Sequence, residues 1–438
     1  MTEPLIATCI PDIAGQVRGK AVPLSAFGEL FEIGAGWTPA NVQITCFDTA
    51  SESPWGPTGD VRMIPDRNAM VEVPLPGGAT ERFVLCRVVE GDGAPWECCL
   101  RTILDSAIAA LKAETGLSLR VAFEHEFTFR NADHEPEPGT AYSLRGLRGR
   151  RIFGETLAGV LRDAGLPPDS FLREFGPRQF EITLPPQEAM RAADEAVMLR
   201  QLTYAVAEDF EAPVTFSPLV SEHGVGNGVH IHFSFWDENG HPKTRDAARP
   251  HGLAAVTGSF IAGILAHLPA LTALTAPSAL SHIRLTPHRW SAAFNNLGVQ
   301  DREAAVRVCP TFAGDDEARR SRQFNIEYRA TDASATPHLS LAAMIFAGLE
   351  GVRAGLPAPE PTTGDLTLLA PDALAAKGLV RLPATLADAL DALEADTALL
   401  AAFPGRFPSI YLAHKRGELA VLDGKTIDER IAAYCLAY

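Results

Sequence analysis

Two periodicities of apolar residues divide the chain into predicted strands and predicted helices. Large apolar residues alternate with polar ones, as on a half-buried strand, in the segments VAFEHEFTF, REFGPRQFEITL, GNGVHIHFSF and FNIEYR. Apolar residues instead recur every three or four positions, as on one face of a helix, in CLRTILDSAIAALKAETG, PPQEAMRAADEAVMLRQLTYAVAEDF, HLSLAAMIFAGLEGVRAGL and ATLADALDALEADTALLAAF. The two kinds of element do not alternate in the rhythm of a parallel sheet, so we predict an α+β fold.

The elements fall into two predicted domains. Residues 1–97 contain short strand-like runs, VQITCF and RFVLCRVV, between turns rich in glycine and proline. The first helical segment ends at Gly116. We place the domain boundary before this helix, so that residues 98–438 form a second domain built on an antiparallel sheet whose polar face is the site. A proline-rich excursion, DHEPEPGT at 133–140, follows the first strand of that domain.

The first charged pair, Glu124 and Glu126, lies in the predicted strand VAFEHEFTF. Residues i and i+2 of a strand point to the same face, so two carboxylates are directed to one place from a largely apolar segment. Such crowding raises the pKa of both groups unless a cation balances the charge. Taken alone, this pair would be explained equally well by an edge strand with a solvated face.

Three further segments carry paired polar groups. Glu174 and Glu181 flank Gly176-Pro177, where a bend or bulge would bring both carboxylates to one site. The remaining pairs have i, i+2 spacing on predicted strands: His230 with His232, and Glu327 with Arg329. Each pair singly has an ordinary explanation, a core histidine or a salt-bridged strand face, so the prediction depends on their joint occurrence.

Together these groups suit hard divalent cations. Carboxylates with an occasional imidazole, and few cysteines nearby, favour Mg²⁺ or Mn²⁺ over thiolate-preferring metals. A second cluster is basic and consists of Arg284, Arg302, Arg307 and Arg329. Arginine binds carboxylate and phosphate bidentately, and divalent cations combined with arginines serve phosphoryl transfer. Any one of these arginines alone would also fit an exposed loop.

Composition narrows the possible partners. Over 438 residues the formal net charge is −16, which argues against a nucleic-acid partner. The seven cysteines form no C-x-x-C pair, which predicts free thiols in a reducing cytosol, and the N-terminus lacks a signal-peptide pattern. The apolar stretch Leu253–Leu268 is too short and too mixed to span a bilayer, so we predict a buried helix there, a cytoplasmic location and no membrane partner.

The ordered motifs E-H-E-F, E-F-G-P-R-Q-F-E, G-N-G-V-H-I-H-F-S, R-L-T-P, D-R-E-A-A-V-R and I-E-Y-R resemble those of the glutamine synthetase superfamily. The resemblance begins near D-I-A-G-Q-V-R-G-K and covers nearly the whole chain. It implies an N-terminal β-grasp domain, a larger catalytic domain and a ring-shaped homo-oligomer, a dodecamer, with active sites between subunits. The implied reaction consumes ATP and joins the γ-carboxylate of glutamate to an amine nitrogen through γ-glutamyl phosphate.

The resemblance also assigns roles to individual residues. It implies at least two Mg²⁺ or Mn²⁺ ions, one held by Glu126, Glu174 and Glu181 and the other by Glu124, His230 and Glu327. It places His232 and Ser234 near the nucleotide, Arg307 at the transferred phosphate, and, around glutamate, Gly226, Arg284, Arg302 and Arg329.

Two positions depart from the ammonia-using members of that superfamily. Those enzymes carry a glutamate six residues after the arginine matching Arg284, where it binds ammonium and removes its proton; this chain has Trp290. Tryptophan accepts no proton and adds a large apolar face, which favours an organic amine, although Trp290 could also be a packing residue. Asp48 matches the aspartate offered to a neighbouring subunit's ammonium site, and we assign it as a candidate proton acceptor.

The leading hypothesis is therefore an ATP-dependent ligase that makes a γ-glutamylamide from glutamate and an alkyl, aromatic or polyamine acceptor. The spacing of Glu174 and Glu181 and the stretch R-x-x-W-S-A-A resemble the γ-glutamyl-polyamine and γ-glutamyl-anilide branch. The alternatives are an ammonia-using glutamine synthetase, a non-catalytic family member, and a phosphagen-type kinase, which would need no glutamate and release no free phosphate.

Overall fold

The computed structural model describes residues 2–51, 53–130 and 139–438. Most of the predicted excursion at 133–140 lies outside the described residues. The strands are β1 Leu5–Pro11, β2 Val17–Pro23, β3 Ala35–Trp37, β4 Val61–Pro74, β5 Thr80–Val89, β6 Ser118–Phe129, β7 Ser170–Arg173, β8 Gln179–Thr183, β9 Gln187–Glu188, β10 Val214–Thr215, β11 Val229–Trp236, β12 Leu297–Val299, β13 Val306–Val308 and β14 Ile326–Tyr328.

The α-helices are α1 Leu30–Ile33, α2 Leu100–Thr115, α3 Leu144–Gly149, α4 Arg151–Asp163, α5 Ala189–Asp209, α6 Ala255–Ala266, α7 Leu268–Thr275, α8 Ser281–Arg284, α9 Glu317–Gln323, α10 Pro337–Arg353, α11 Pro371–Ala376, α12 Leu386–Ala395, α13 Thr397–Leu400, α14 Phe407–Val421 and α15 Ile427–Ala437.

The N-terminal strands form a five-stranded sheet in the order β2-β1-β5-β4-β3. Only β1 and β5 run parallel, and the other neighbours are antiparallel. This curled sheet is the small domain expected from the resemblance. The run RFVLCRVV lies in β5 as predicted, but the prediction of a strand at VQITCF is wrong. A 3₁₀ helix that begins at Pro39 continues to Gln43, and the Thr45 hydroxyl then accepts hydrogen bonds from Phe47 N and Thr49 N, so local bonds replace a strand ladder.

The second sheet carries all four strand segments that contain the charged pairs. Its main path is β12-β13-β14-β11-β6-β8-β7, with β9 and β10 paired to β6. All neighbours are antiparallel except β12 and β13. The α+β prediction is therefore confirmed, and the long central strands β6 and β11 determine where the charged residues lie.

One face of this sheet is apolar and covered by helices. Phe123 and Phe127 on β6 are buried, and α5 packs against this strand. His125, between the two glutamates of E-H-E, points to the same side and packs edge-on against Phe216. Behind α5 lie α2 and α10, and α10 also packs against α6. Residues with even numbers on β6 are left facing the opposite side.

The predicted helices are present, with one difference. The helix α2 ends at Gly116, whose φ of 71° is the left-handed conformation that glycine adopts easily. The segment ATLADALDALEADTALLAAF, predicted as one helix, is broken at Asp396, where the side chain accepts a hydrogen bond from Leu399 N and starts α13. The same carboxylate binds His267 Nδ1 at 2.6 Å. Asp396 thus ends one helix and starts the next despite the helical periodicity, because it caps α13 and is bound by a distant histidine.

The predicted buried helix at Leu253–Leu268 corresponds to α6, whose residues Phe260, Ile261 and Ile264 are fully enclosed. No single helix in the described residues is long and apolar enough to cross a membrane. The pair α6 and α7 meets the length and composition criteria only when taken together, and it bends by 79° between the two helices. All seven cysteines are free thiols.

Candidate active site

The register between β6 and its neighbours brings four of the predicted residues to one face of the sheet. His230 on β11 lies directly opposite Glu124 on β6, and Glu181 on β8 lies directly opposite Glu126. Since alternate residues share a face and directly opposite residues project together, these side chains point away from α5. The i, i+2 spacing in the sequence therefore correctly predicts that these side chains share one face of the sheet.

The other half of the face is built by β11, β14 and β13. Glu327 on β14 lies opposite His232 on one side and opposite Arg307 on the other. Arg307 Nη1 donates to Glu327 Oε2 at 2.6 Å, and Arg329 donates to Glu327 Oε1. The pKa of Glu327 is therefore lowered to about 2, since Arg329 and His230 outweigh the opposing effect of burial.

Two histidines and two glutamates form the first candidate cation centre. His230 Nδ1 lies 3.5 Å from Glu124 Oε2 and 3.5 Å from Glu327 Oε1, and His232 Nε2 lies 3.1 Å from Glu124 Oε1. Glu124, His232 and Glu327 each offer one ligand atom, and these three atoms lie within 4.8 Å of one another. Among the described residues this is the one group of three or more such side chains. His230, the histidine that the resemblance assigns to this ion, is adjacent but outside that group.

The surroundings of His230 determine whether its imidazole is protonated. Burial and the charge of Arg329 lower the pKa of His230 to about 4, so that its imidazole is neutral at pH 7. Its buried Nε2 has no hydrogen-bond partner among the described residues. A neutral imidazole whose Nδ1 lies 3.5 Å from two carboxylates is in the state that coordinates a cation.

Glu126, Glu174 and Glu181 form a second, more open acidic cluster. Burial, together with repulsion from Glu174, raises the pKa of Glu126 to about 7. Burial and the surrounding carboxylates, Glu124 foremost, raise the pKa of Glu181 to about 9. Such shifts mean that the side chains hold more negative charge than their surroundings balance, which is the condition a bound cation relieves.

The hairpin between β7 and β8 explains how Glu174 joins this cluster. The chain reverses through Gly176-Pro177 in a tight turn, in which Arg178 adopts a φ of 56°, and Glu174 N donates to Gln179 O across it. The predicted bend is present, but as a turn between two strands and not as a bulge within one. Glu174 Oε2 accepts a hydrogen bond from the Tyr142 hydroxyl at 2.9 Å.

Both acidic clusters open into one cavity of about 460 Å³. Most of the predicted site residues contribute to its wall, and they are joined there by residues that sequence reasoning missed. The lining consists of Glu124, Glu126, Tyr142, Leu172, Glu174, Phe175, Gln179, Glu181, Val225, Gly226, His230, Arg284, Arg289, Trp290, Arg302 and Arg329. Another hollow, against α5, is far smaller, about 10 Å³, and lies on the apolar side of the sheet.

The arginines of the cavity differ in how they are held. Arg284 is buried, donates from Nη1 to Thr331 O at 3.1 Å, and has no carboxylate within 4.0 Å in the described part of the chain. Burial lowers its pKa. The charges of Asp332 and Glu126 oppose this effect without contacting Arg284. Arg302 is exposed and makes no ion pair with any described residue. A buried guanidinium without a contacting anion is costly, so the cavity wall at Arg284 is suited to receive a carboxylate from a substrate.

Two glycines beside Arg284 pack so closely against their surroundings that neither position has room for a side chain. A Cβ placed on Gly226 would come within 2.0 Å of Pro218 O, and a Cβ on Gly228 would come within 2.4 Å of Arg284 Nη2. Gly228 N donates to Glu126 Oε2 at 2.9 Å, and Gln179 Nε2 donates to the same oxygen at 2.9 Å. Gln179 was part of a recognised motif, but only the structure shows that it positions Glu126.

Trp290 lies at the open end of the cavity among other aromatic rings. It is 48% exposed, and its ring is stacked on Phe175 with centroids 5.4 Å apart and lies nearly parallel to Tyr142 at 6.4 Å. Its carbonyl oxygen accepts a hydrogen bond from Arg329 Nη2 at 3.1 Å. The next residue back, Arg289, donates to the carbonyl oxygens of Gly224 and Glu222.

Some predicted residues lie outside the cavity lining. Asp48 is in a turn of the small domain with its side chain 88% exposed, 3.5 Å from Arg18 Nη1. Glu327 is also outside the lining, and His232 and Arg307 lie directly opposite it on the two neighbouring strands. Ser234 is two residues beyond His232 on β11, where its hydroxyl accepts a hydrogen bond from Trp236 Nε1 at 2.9 Å. Within one chain, Asp48 is therefore the residue that the fold does not bring to the site.

Comparison with known proteins identifies the family of both domains of the chain. The family model described as "Glutamine synthetase, catalytic domain" matches residues 97–434, and the one described as "Glutamine synthetase N-terminal domain" matches residues 2–96. The chain is 34% identical to "Gamma-glutamylpolyamine synthetase GlnA3" of Streptomyces coelicolor, over 98% of this chain and 92% of that protein.

Two further comparisons cover nearly all of the chain. It is 29% identical to "Glutamine synthetase" of Methanocaldococcus jannaschii, over 93% of this chain and 89% of that protein. A solved structure described as "Crystal structure of novel glutamine synthase homolog" superimposes with a TM-score of 0.91 at 38% identity, over 100% of this chain and 99% of that one.

Proposed function

The chain belongs to the glutamine synthetase family and is an ATP-dependent glutamate–amine ligase, and from this premise we propose that its acceptor is an organic amine and not ammonia. The product would be a γ-glutamylamide, released with ADP and phosphate. Alkyl, aromatic and polyamine acceptors all fall within the proposal. The name of the Streptomyces coelicolor relative supports a polyamine-like acceptor without fixing it.

The proposed chemistry has two steps. An oxygen of the glutamate γ-carboxylate attacks the γ-phosphorus of ATP, the bond to the bridging oxygen breaks, and ADP leaves. The lone pair of the amine nitrogen then attacks the carbonyl carbon of γ-glutamyl phosphate; phosphate leaves with the bonding electrons, and the nitrogen loses a proton. Both steps concentrate negative charge on phosphate oxygens, which positive groups must balance.

The donor set of the cavity fits two Mg²⁺ or Mn²⁺ ions. We propose that Glu126, Glu174 and Glu181 hold one ion and that Glu124, His230 and Glu327 hold the other. The position of His230 Nδ1, 3.5 Å from both Glu124 and Glu327, and the raised pKa of Glu181 support this assignment. When bound, the cations would neutralise phosphate charge. His232, with Nε2 3.1 Å from Glu124, lies beside the ligands proposed at this first candidate cation centre.

The remaining positive charge comes from arginines. We propose that Arg284, Arg302 and Arg329 hold the glutamate carboxylates, with the close approach provided by Gly226. The unpaired guanidinium of Arg284 supports this role. Arg307 is proposed to bind the transferred phosphate. Its contact with Glu327 would hold the guanidinium in position before the phosphate is bound. His232 and Ser234 are proposed to contact the nucleotide.

The observation that carries the choice of acceptor is the side chain of Trp290. It lies at the cavity mouth between other rings, where ammonia-using members of the family place a carboxylate. Ammonium is held by carboxylates, whereas an apolar ring gains from contact with the carbon atoms of an organic amine. We assign the proton acceptor to Asp48 of a neighbouring subunit in a ring-shaped oligomer, because Asp48 is exposed and does not line the cavity of its own chain.

Phosphate release from Mg-ATP and glutamate tests the proposal. Ammonium would be compared with methylamine, isopropylamine, ethanolamine, putrescine and aniline at equal concentrations of free base. We expect strong stimulation by at least one organic amine and little by ammonium. Turnover with ammonium alone would instead establish an ammonia-using glutamine synthetase, the activity named for the Methanocaldococcus jannaschii relative.

A further inference from the structure

Three aromatic side chains from separate parts of the chain meet at the mouth of the cavity. Tyr142 follows the 131–138 segment, Phe175 is in the β7–β8 turn, and Trp290 follows α8. Their exposures are 47%, 53% and 48%, and all three belong to the cavity lining. Large aromatic residues rarely stay half-exposed side by side without a partner. We refer to this set as the aromatic mouth.

The backbone shows that two of these rings are held there at a conformational cost. Tyr142 has a φ of 57° and Trp290 a φ of 55°, a region that bulky residues seldom occupy. Glycine or asparagine would fit both positions more easily, so packing alone does not account for the aromatic residues. Conformations of this kind persist where the surroundings enforce them, and they cluster at ligand sites.

Polar contacts fix the aromatic mouth to the reacting end of the cavity. The Tyr142 hydroxyl donates to Glu174 Oε2 at 2.9 Å, and Phe175 N donates to the same oxygen at 3.0 Å. The Trp290 carbonyl is bound by Arg329. The rings therefore stand at the exit of the cavity with their positions tied to groups deeper inside, so a molecule whose amine reaches inward would lay its remaining atoms against them.

We propose that the aromatic mouth selects primary amines with a polymethylene chain by contact between the rings and the methylene groups. This inference rests on the proposed function and adds Tyr142 and Phe175 to Trp290 as specificity-determining residues. Each methylene group that leaves water for the ring surface strengthens binding roughly fourfold. Electron-rich ring faces and the acidic wall also tolerate a second ammonium group at the far end of the chain.

A homologous series of amines tests this proposal. The kcat/KM of the full-length protein would be measured with methylamine, ethylamine, propylamine, butylamine and 1,4-diaminobutane at saturating Mg-ATP and glutamate. We expect kcat/KM to rise about fourfold per methylene group, through the KM for the amine. In Trp290→Ala, Tyr142→Ala and Phe175→Ala the rise should fall to less than twofold per methylene group.

Conservative variants distinguish ring contact from loss of structure. Tyr142→Phe keeps the ring and removes the hydroxyl, so it should retain the dependence on chain length that Tyr142→Ala loses. Phe312→Ala removes a ring that is 73% exposed outside the cavity lining and should keep the full dependence. A chain-length dependence that survives in all three alanine variants would overturn the proposal.

The same series separates this inference from the proposed function. Wild-type protein that uses organic amines with no dependence on chain length would overturn the role of the aromatic mouth and leave the ligase assignment intact. Wild-type protein that responds to ammonium and to no organic amine would overturn both.

Discussion

At the scale of single residues, the site depends on charges that are balanced only in part by the chain itself. Glu327 is 1% exposed and is paired with Arg307 and Arg329. By contrast, Glu126 and Glu181 have raised pKa values because burial and repulsion between carboxylates are not fully balanced. The charge of Glu327 is thus balanced within the chain, whereas the charges of Glu126 and Glu181 are not.

Removal of the Glu327 carboxylate should abolish turnover. In Glu327→Ala two arginines and two histidines lose their common anionic partner, and the cation proposed at Glu124, His230 and Glu327 loses a ligand, so we expect kcat to fall at least about 100-fold. Phosphate release with the best amine measures this, and thermal unfolding of the variant verifies the fold. Glu238→Ala, at an exposed position, serves as the control. An unchanged rate in Glu327→Ala would remove the metal assignment.

The identity of residue 290 should decide between ammonium and organic amines. Trp290→Glu introduces a carboxylate that binds ammonium and accepts a proton, so we expect kcat/KM for ammonium to rise about tenfold and that for the preferred amine to fall by a similar factor. Trp290→Gln introduces a side chain as polar as glutamate but without its charge. This variant should lose the preference for organic amines without gaining activity with ammonium. Identical amine preferences in wild type and Trp290→Glu would refute the role given to this position.

At the scale of elements, the glycine-rich entry to β11 is as important as the charged side chains. The carbonyl of Pro218 comes so close to Gly226 that no side chain fits between them. We predict that Gly226→Ala raises the KM for glutamate at least tenfold and lowers the melting temperature, because the backbone must shift beside Arg284. Gly91→Ala, where an added Cβ meets nothing within 4 Å, should change neither quantity, and an unaltered KM in Gly226→Ala would contradict the argument.

Elements with a strict local pattern were predictable from the sequence, and those decided by distant partners were not. The i, i+2 pairs on β6 and β11 gave the strands and the face of the sheet, because strand geometry leaves no other choice. The helix break at Asp396 depends on His267, which is 129 residues away. The 3₁₀ helix at Pro39–Gln43 depends on turn bonds that an apolar run does not reveal.

The candidate site shows the same division. Glu124, Glu126, His230 and the arginines could be selected from spacing and chemistry. Tyr142 and Phe175 carried no such signal, since each lies in an irregular segment whose path is determined by tertiary contacts. The resemblance supplied the grouping of ligands, but it could not show that Gln179 and Gly228 together hold Glu126.

At the scale of the whole molecule, buried neutral histidines make stability depend on pH. His282 is enclosed, with Nδ1 3.0 Å from Pro383 O, and burial lowers its pKa to about 4. The unfolded chain, with an ordinary histidine pKa of about 6.5, binds the proton more tightly. Stability is therefore complete above about pH 6.5 and is lost as the pH falls toward 4.

Replacing His282 should weaken this dependence. From pH 7 to pH 5, one such histidine removes about 2 kcal/mol from the free energy of unfolding, and in His282→Gln that part of the loss should vanish. Denaturant titrations at both pH values measure the difference. His223→Gln, at a residue with an exposed side chain, is the matched control. A pH dependence in His282→Gln equal to that of wild type would exclude His282 as its source.

The guanidinium of Arg329 joins two ends of the site, since it holds Glu327 on one side and the Trp290 carbonyl on the other. A shift in the path of the main chain at residue 290 would therefore disturb the proposed site of phosphate transfer beside Glu327. Changes confined to side chains would not. Homologues that diverge in acceptor choice are thus expected to conserve this loop in length and main-chain course while its side chains vary, so that new substrates evolve by replacing rings and not by insertion or deletion.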